Sequence, residues 1–164
     1  MNFKGHKFQQ IDMVITNWMA NKGIFLLRIS IGIIFLWFGM LKFFPGLSPA
    51  EGLAIDTIKL LTFNLVPNQV IIYGLALWET LIGLGLVFNK FMRETLLLLY
   101  LQMVGTLIPI FLFPAEVFTQ FPYALTLEGQ YIFKNLVLIS AGIVLGATVR
   151  GGRIVAESDK PNNQ

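Results

Sequence analysis

The chain has 164 residues, of which 55% are hydrophobic and 13% charged, with a formal net charge of +3. Soluble domains average about 45–50% apolar and about 25% charged residues, and this composition folded in water would expose large apolar patches that soluble proteins rarely carry; a soluble class is excluded and an integral membrane protein expected. With no cysteine and one histidine, His6, the chain has no disulfide, thiolate nucleophile, Cys–zinc site or two-histidine haem ligation of its own, and no basic patch interleaved with aromatics points to nucleic acid.

In chain order, the opening "MNFKGHKFQQ" lacks the apolar core and small-residue cleavage site of a signal peptide, so the N-terminus is expected to be retained. His6 lies in this polar tail and is assigned no role. In "QIDMVITNWMA", Ile11, Val14, Ile15, Trp18 and Met19 share one helical face ahead of Lys22. That pattern predicts a short amphipathic helix lying in the cytoplasmic interface, with Trp18 near the headgroups.

Four apolar runs follow, at approximately 24–44, 69–88, 95–113 and 131–149, each close to the roughly 20 residues that cross a bilayer as a helix. Four segments cannot close a barrel, so the fold class is an all-α, integral membrane four-helix bundle. Residues 1–23 form an interfacial N-terminal segment, 24–149 the transmembrane domain, and 150–164, ending "ESDKPNNQ", a disordered tail. Eight cations (Lys4, Lys7, Lys22, Lys90, Arg93, Arg150, Arg153 and Lys160) fall on one side of four crossings, against Lys59 alone on the other. By the positive-inside rule both termini are cytoplasmic, and without an organelle-type leader the expected location is the bacterial inner membrane.

The first span, "LLRISIGIIFLWFGMLKFF", carries Arg28, Gly32, Phe35, Gly39 and Lys42 at alternating spacings of four and three. At 3.6 residues per turn these five share a face, and the two glycines admit a neighbouring backbone along it. After this span, Ser48 and Glu51 fit a capping box with Pro49 at the first helical position. A short extracytoplasmic amphipathic helix near 49–61 is therefore expected.

The second span holds Glu79 roughly 13 Å from its cytoplasmic end, a depth close to the roughly 7 Å of Arg28 and the roughly 10 Å of Gln102. A carboxylate at that depth costs at least a few kcal/mol unless paired or protonated; a Glu79–Arg28 pair with Gln102 nearby is the expected solution. Gln102 shares a stripe with Gly105, Thr106 and Pro109, which would also serve interhelical hydrogen bonding at a kink. The loop 114–130, with Pro114 and Pro122, is expected to be irregular. In the last span Lys134 and Asn135 lie near the outer end, while Gly142 and Gly146, like Gly83 in the second span, read as packing residues. Each cation has a plainer role as a snorkelling anchor, and Glu79 one as half of a structural ion pair.

The stretches "LLRISIGIIFLWFGMLKFFPGLSPAE", "ALWETLIGLGLVF", "MVGTLIPIFLFP" and "TLEGQYIFKNLVLISAGIVLG" together resemble the DoxX-like family of small four-helix membrane proteins. The resemblance implies a membrane subunit or accessory of a quinone-linked redox, oxidative-stress or sulfur-stress system, with family polar positions falling on Arg28, Lys42, Glu79 and Lys134. The cysteine pairs of relatives with thiol roles are missing here. A cavity lined by those residues would suit an anionic or quinol head group. No catalytic residue, metal site or covalent cofactor is indicated, so a quinone or a redox partner protein would have to carry electrons. A homo-oligomer also fits. Two other classes stay open: a non-catalytic scaffold in which the polar residues pin helix register, and a small-solute or proton transport component.

Overall fold

The computed structural model describes residues 3–44, 46–48, 50–152 and 154. The chain folds into helices α1 (Phe3–Leu41), α2 (Glu51–Leu61), α3 (Asn68–Phe88), α4 (Met92–Leu107), α5 (Pro109–Leu112), α6 (Pro114–Val117) and α7 (Leu127–Thr148), with a small hairpin of β1 (Phe118–Gln120) and β2 (Ala124–Leu125). Four helical stretches, Phe8–Leu41, Asn68–Phe88, Met92–Leu112 and Leu127–Thr148, are long and apolar enough to cross a membrane. The molecule is a multi-pass, all-α membrane bundle. α1 packs on α3, α3 on α4, α4 on α7, and α7 closes the ring against α1.

The tightest contact is between α1 and α3. A Cβ added at Gly32 would lie 3.2 Å from the Gly83 carbonyl oxygen and 2.8 Å from a Val87 methyl; one at Gly83 would lie 2.6 Å from the Leu36 backbone nitrogen, and one at Gly39 2.8 Å from that of Thr80. Backbone meets backbone along this seam, in the close approach that small residues permit between membrane helices. The partners run in opposite order, so the helices are antiparallel. α3 and α4 meet where Gly85 faces Thr95 and where Trp78 Nε1 donates to the Leu98 carbonyl at 3.1 Å. Gly142 and Gly146 face Tyr100 across the α4–α7 contact at ordinary packing distances, with an added Cβ 3.2–3.5 Å from the ring or its hydroxyl.

The first apolar core gathers Ile31, Phe35, Ile82, Leu86, Leu96, Leu99, Met103, Ala141 and Leu145 from all four long helices. A second, smaller cluster of Leu53, Val117, Phe118 and Ile132 lies where α2, α6 and the hairpin come together over the end of α7.

Several elements differ from the sequence-based expectation. The separate interfacial helix does not form: its residues are the N-terminal half of α1, which continues unbroken through Lys22 and Gly23. No proline interrupts this stretch, and one glycine costs a helix only about 1 kcal/mol. At about 1.5 Å per residue, 39 residues make a helix of nearly 60 Å, about twice the hydrocarbon thickness. Phe8, Ile11, Val14 and Trp18 on this extension are each more than half exposed. α2 opens at Glu51 with Ala50 at its N-cap; Pro49 lies outside the described residues, and the Glu51 carboxylate accepts from the Gly46 amide at 3.3 Å. The 114–130 loop is structured, containing α6 and a hairpin turned by a cis Phe121–Pro122 bond. α7 starts four residues before the expected 131, because the Thr126 hydroxyl caps it by accepting from the Gly129 amide at 3.0 Å. Most of the expected disordered tail falls outside the described residues.

The seam predicts a steep contrast between glycines. Gly83→Ala is expected to lower stability by about 1–3 kcal/mol through overpacking. Gly74→Ala, where nothing lies within 4 Å of the added Cβ, is expected to stay within about 0.5 kcal/mol of the parent. Thermal unfolding of the detergent-solubilised protein, followed by circular dichroism, measures both.

Candidate functional site

The antiparallel seam determines which side chains meet. Gly39 lies against Thr80, so Lys42, three residues further on and just past the end of α1, is brought level with Glu79, one residue earlier in α3. Lys42 Nζ and Glu79 Oε2 are 2.7 Å apart, with both side chains about 10% exposed. From α4, Gln102 Nε2 donates to the other carboxylate oxygen, Oε1, at 2.8 Å. Both Glu79 oxygens are therefore held by polar hydrogens, one from the turn that ends α1 and one from α4. A carboxylate buried in an apolar bundle requires such a shell, since its desolvation is otherwise uncompensated.

Arg28 is not part of this cluster, which corrects the expected Glu79–Arg28 pair. Its guanidinium donates to the main-chain carbonyls of Leu86 and of Val87, the latter at 3.0 Å. These belong to the last turn of α3, where carbonyls lack intrahelical partners and the helix dipole is negative. Arg28 is a cationic C-cap supplied in trans, with the Phe25 ring 5.5 Å away. The physical reason is length: α1 begins far before residue 24 and ends at Leu41, beside the middle of α3. Lys42 is therefore the residue at mid-depth, and Arg28 lies roughly 20 Å away along the α1 axis.

Lys134 is also displaced. It is exposed on the bundle surface, 5.5 Å above the Tyr131 ring. Its neighbour Asn135 turns inward, and Asn135 Nδ2 donates to Thr106 Oγ1 at 3.1 Å. One residue is about 100° on a helix, enough to separate a surface cation from a half-buried amide.

Lys42, Glu79, Gln102, Thr106 and Asn135 line a cavity of about 270 Å³ between the two apolar clusters, close to the roughly 300 Å³ lower end of small-molecule sites. The remaining wall is mostly apolar: Phe35 and Phe38 from α1, Leu53, Ala54 and Ile58 from α2, and Ile132 and Leu138 from α7. Pro109 lies on the same wall. It lacks the N–H that would bond the Gly105 carbonyl, and Ile108 N takes over that bond at 3.3 Å. Broken helical backbone at membrane depth is tolerated where it is buried or lines a cavity. Among the described residues no group of three or more His, Cys, Asp or Glu is arranged to hold a metal ion.

Two parts of the wall were not singled out in the sequence. Glu128 and Tyr131 line the cavity from α7; Glu128, Tyr131, Asn135 and Leu138 recur at spacings of three and four, so the face was readable once Asn135 was placed on it. The α2 contribution had no such signal, since it depends on how the loop folds back over the bundle. No family model matches the chain, and no curated protein or solved structure is significantly similar to it.

Two mutant cycles test this geometry by denaturant unfolding. Lys42→Met leaves Glu79 without its cation and is expected to cost about 3–5 kcal/mol, most of it recovered in Lys42→Met/Glu79→Gln. Arg28→Met is expected to cost about 1–3 kcal/mol through unpaired carbonyls, and its effect should add to that of Glu79→Gln within about 0.5 kcal/mol, as for separated sites.

Proposed function

We propose that this protein is the membrane subunit or accessory of a quinone-linked redox or stress-response system in the bacterial inner membrane, and that its intramembrane cavity binds the quinone head. The observation that carries the reading is the Lys42–Glu79–Gln102 cluster in a cavity whose remaining wall is mostly apolar. A quinone has the matching form: an apolar body that partitions into the bilayer, and carbonyls that accept hydrogen bonds. Lys42 has two N–H groups beyond the one facing Glu79, and Gln102 one beyond the one it donates. A carboxylate–ammonium pair beside the head can give and take the protons that accompany quinone chemistry.

Arg28 and Lys134 stand off the cavity wall, which weakens an anion-binding version of the reading and favours an uncharged head. The chain supplies no flavin or haem motif of its own, so electrons would pass between the quinone and a partner protein. The resemblance to DoxX-like membrane proteins points the same way.

The test is equilibrium binding of a short-chain benzoquinone to the purified protein in an uncharged detergent. Saturable binding is expected, weakened at least about tenfold by Gln102→Leu and by Ala54→Phe, which fills the cavity from α2. Binding that is unsaturable, or indifferent to both changes, would sink the reading.

A further inference from the structure

The cavity holds a second carboxylate that the Lys42–Glu79–Gln102 cluster does not engage. Glu128 sits in the first turn of α7 and lines the cavity at the end of the bundle where α2 and α6 gather. Lys42–Glu79 is the ion pair found among the described residues, and Glu128 makes neither an ion pair nor a side-chain hydrogen bond there. The wall thus carries one cation and two carboxylates. Lys42 and Glu79 cancel at 2.7 Å, which leaves Glu128 with no cationic side chain paired to it among the described residues.

The N-terminus of α7, where Glu128 sits, offers about half a positive charge, which lessens its negative charge without reversing it. The remaining described charges at this end are Glu51, Asp56 and Glu116 against Lys59 and Lys134, again an acidic excess. An entering head group meets this field between apolar walls, where the effective dielectric is low and salt screens poorly. An anion would be repelled by Glu128 and would find Lys42 already neutralised. An uncharged carbonyl would meet no such barrier and could use the spare donors of Lys42, Gln102 and Asn135.

We propose that Glu128 is the specificity-determining residue of the cavity: it admits amphiphiles with an uncharged, hydrogen-bond-accepting head and rejects those with an anionic head. The proposal rests on the reading of the cavity as a ligand site and adds the charge class of its ligand.

The experiment measures displacement of a bound short-chain benzoquinone from the full chain in uncharged detergent at pH 8. The competitors are two amphiphiles of similar length, 2-tridecanone and dodecanoate. The wild type is expected to bind the ketone at least about tenfold more tightly than the carboxylate. Glu128→Gln should narrow that ratio to about threefold or less by strengthening dodecanoate, with ketone affinity within about twofold of wild type. Glu128→Asp, which keeps the charge, should retain the wild-type ratio. Equal binding of ketone and carboxylate by the wild type, or a ratio unmoved by Glu128→Gln, overturns the role of Glu128 while leaving quinone binding intact. Failure of the benzoquinone itself to bind removes the ligand site, and this inference with it.

Discussion

The close approach of α1 to α3 is the constraint on which the rest of the bundle depends. Lipid tails are as apolar as leucine, so membrane helices gain little from burying apolar surface against one another and associate through packing and polar contacts. Gly32, Gly39 and Gly83 let two backbones meet, and that contact holds the helices in one register. The register brings Lys42 to Glu79 and Arg28 to the open carbonyls at the end of α3. Neither polar contact could form if the seam slipped by a turn, because about 5.4 Å separates successive turns. Packing and charge pairing therefore specify the same arrangement.

The cavity follows from where α1 stops. Its last helical residue, Leu41, lies beside the middle of α3, so the final turns of α1 wall one side of the cavity through Phe35 and Phe38, and beyond them three long helices surround a space that a fourth would have filled. α2 folds over part of it with Leu53 and Thr57 buried, and the kink at Pro109 carries α5 along its side. Polar groups line it because backbone and side chains freed from regular packing must still be satisfied at membrane depth. Gln102, Thr106 and Asn135 meet that requirement from two facing helices.

The sequence was most informative where a regular spacing met a strong physical demand. Four apolar runs could only be helices, and the stripe from Arg28 to Lys42 could only be a contact face, since residues three and four apart lie together. The partner of Glu79 was another matter. Hydropathy starts the first span near residue 24, whereas the helix extends back to Phe3, so a depth counted from residue 24 carries Arg28 too far into the bundle and leaves Lys42 at its edge. Lys134 and Asn135 illustrate a finer limit: hydropathy places both near the end of a span, but only the packing of α7 against α4 decides which of the two faces inward. The role of α2 as cavity wall arises from chain reversal at both of its ends, in a loop whose local pattern says helix without saying against what.

The seam between α1 and α3 also has a mechanical consequence. Two backbones in contact at Gly32 and Gly83 cannot slide or part without opening a void along half of α3, so these helices behave as a single stiff post. Glu79 is mounted on that post and Lys42 directly follows its end, so the seam holds this pair in place, with Gln102 reaching it from α4. Any change in the volume of the chamber must come from its other sides, where α2 is tethered by turns and the Pro109 kink interrupts the rod. The fold thus separates a fixed anvil, which carries the charges, from pliable walls, which carry the apolar contacts.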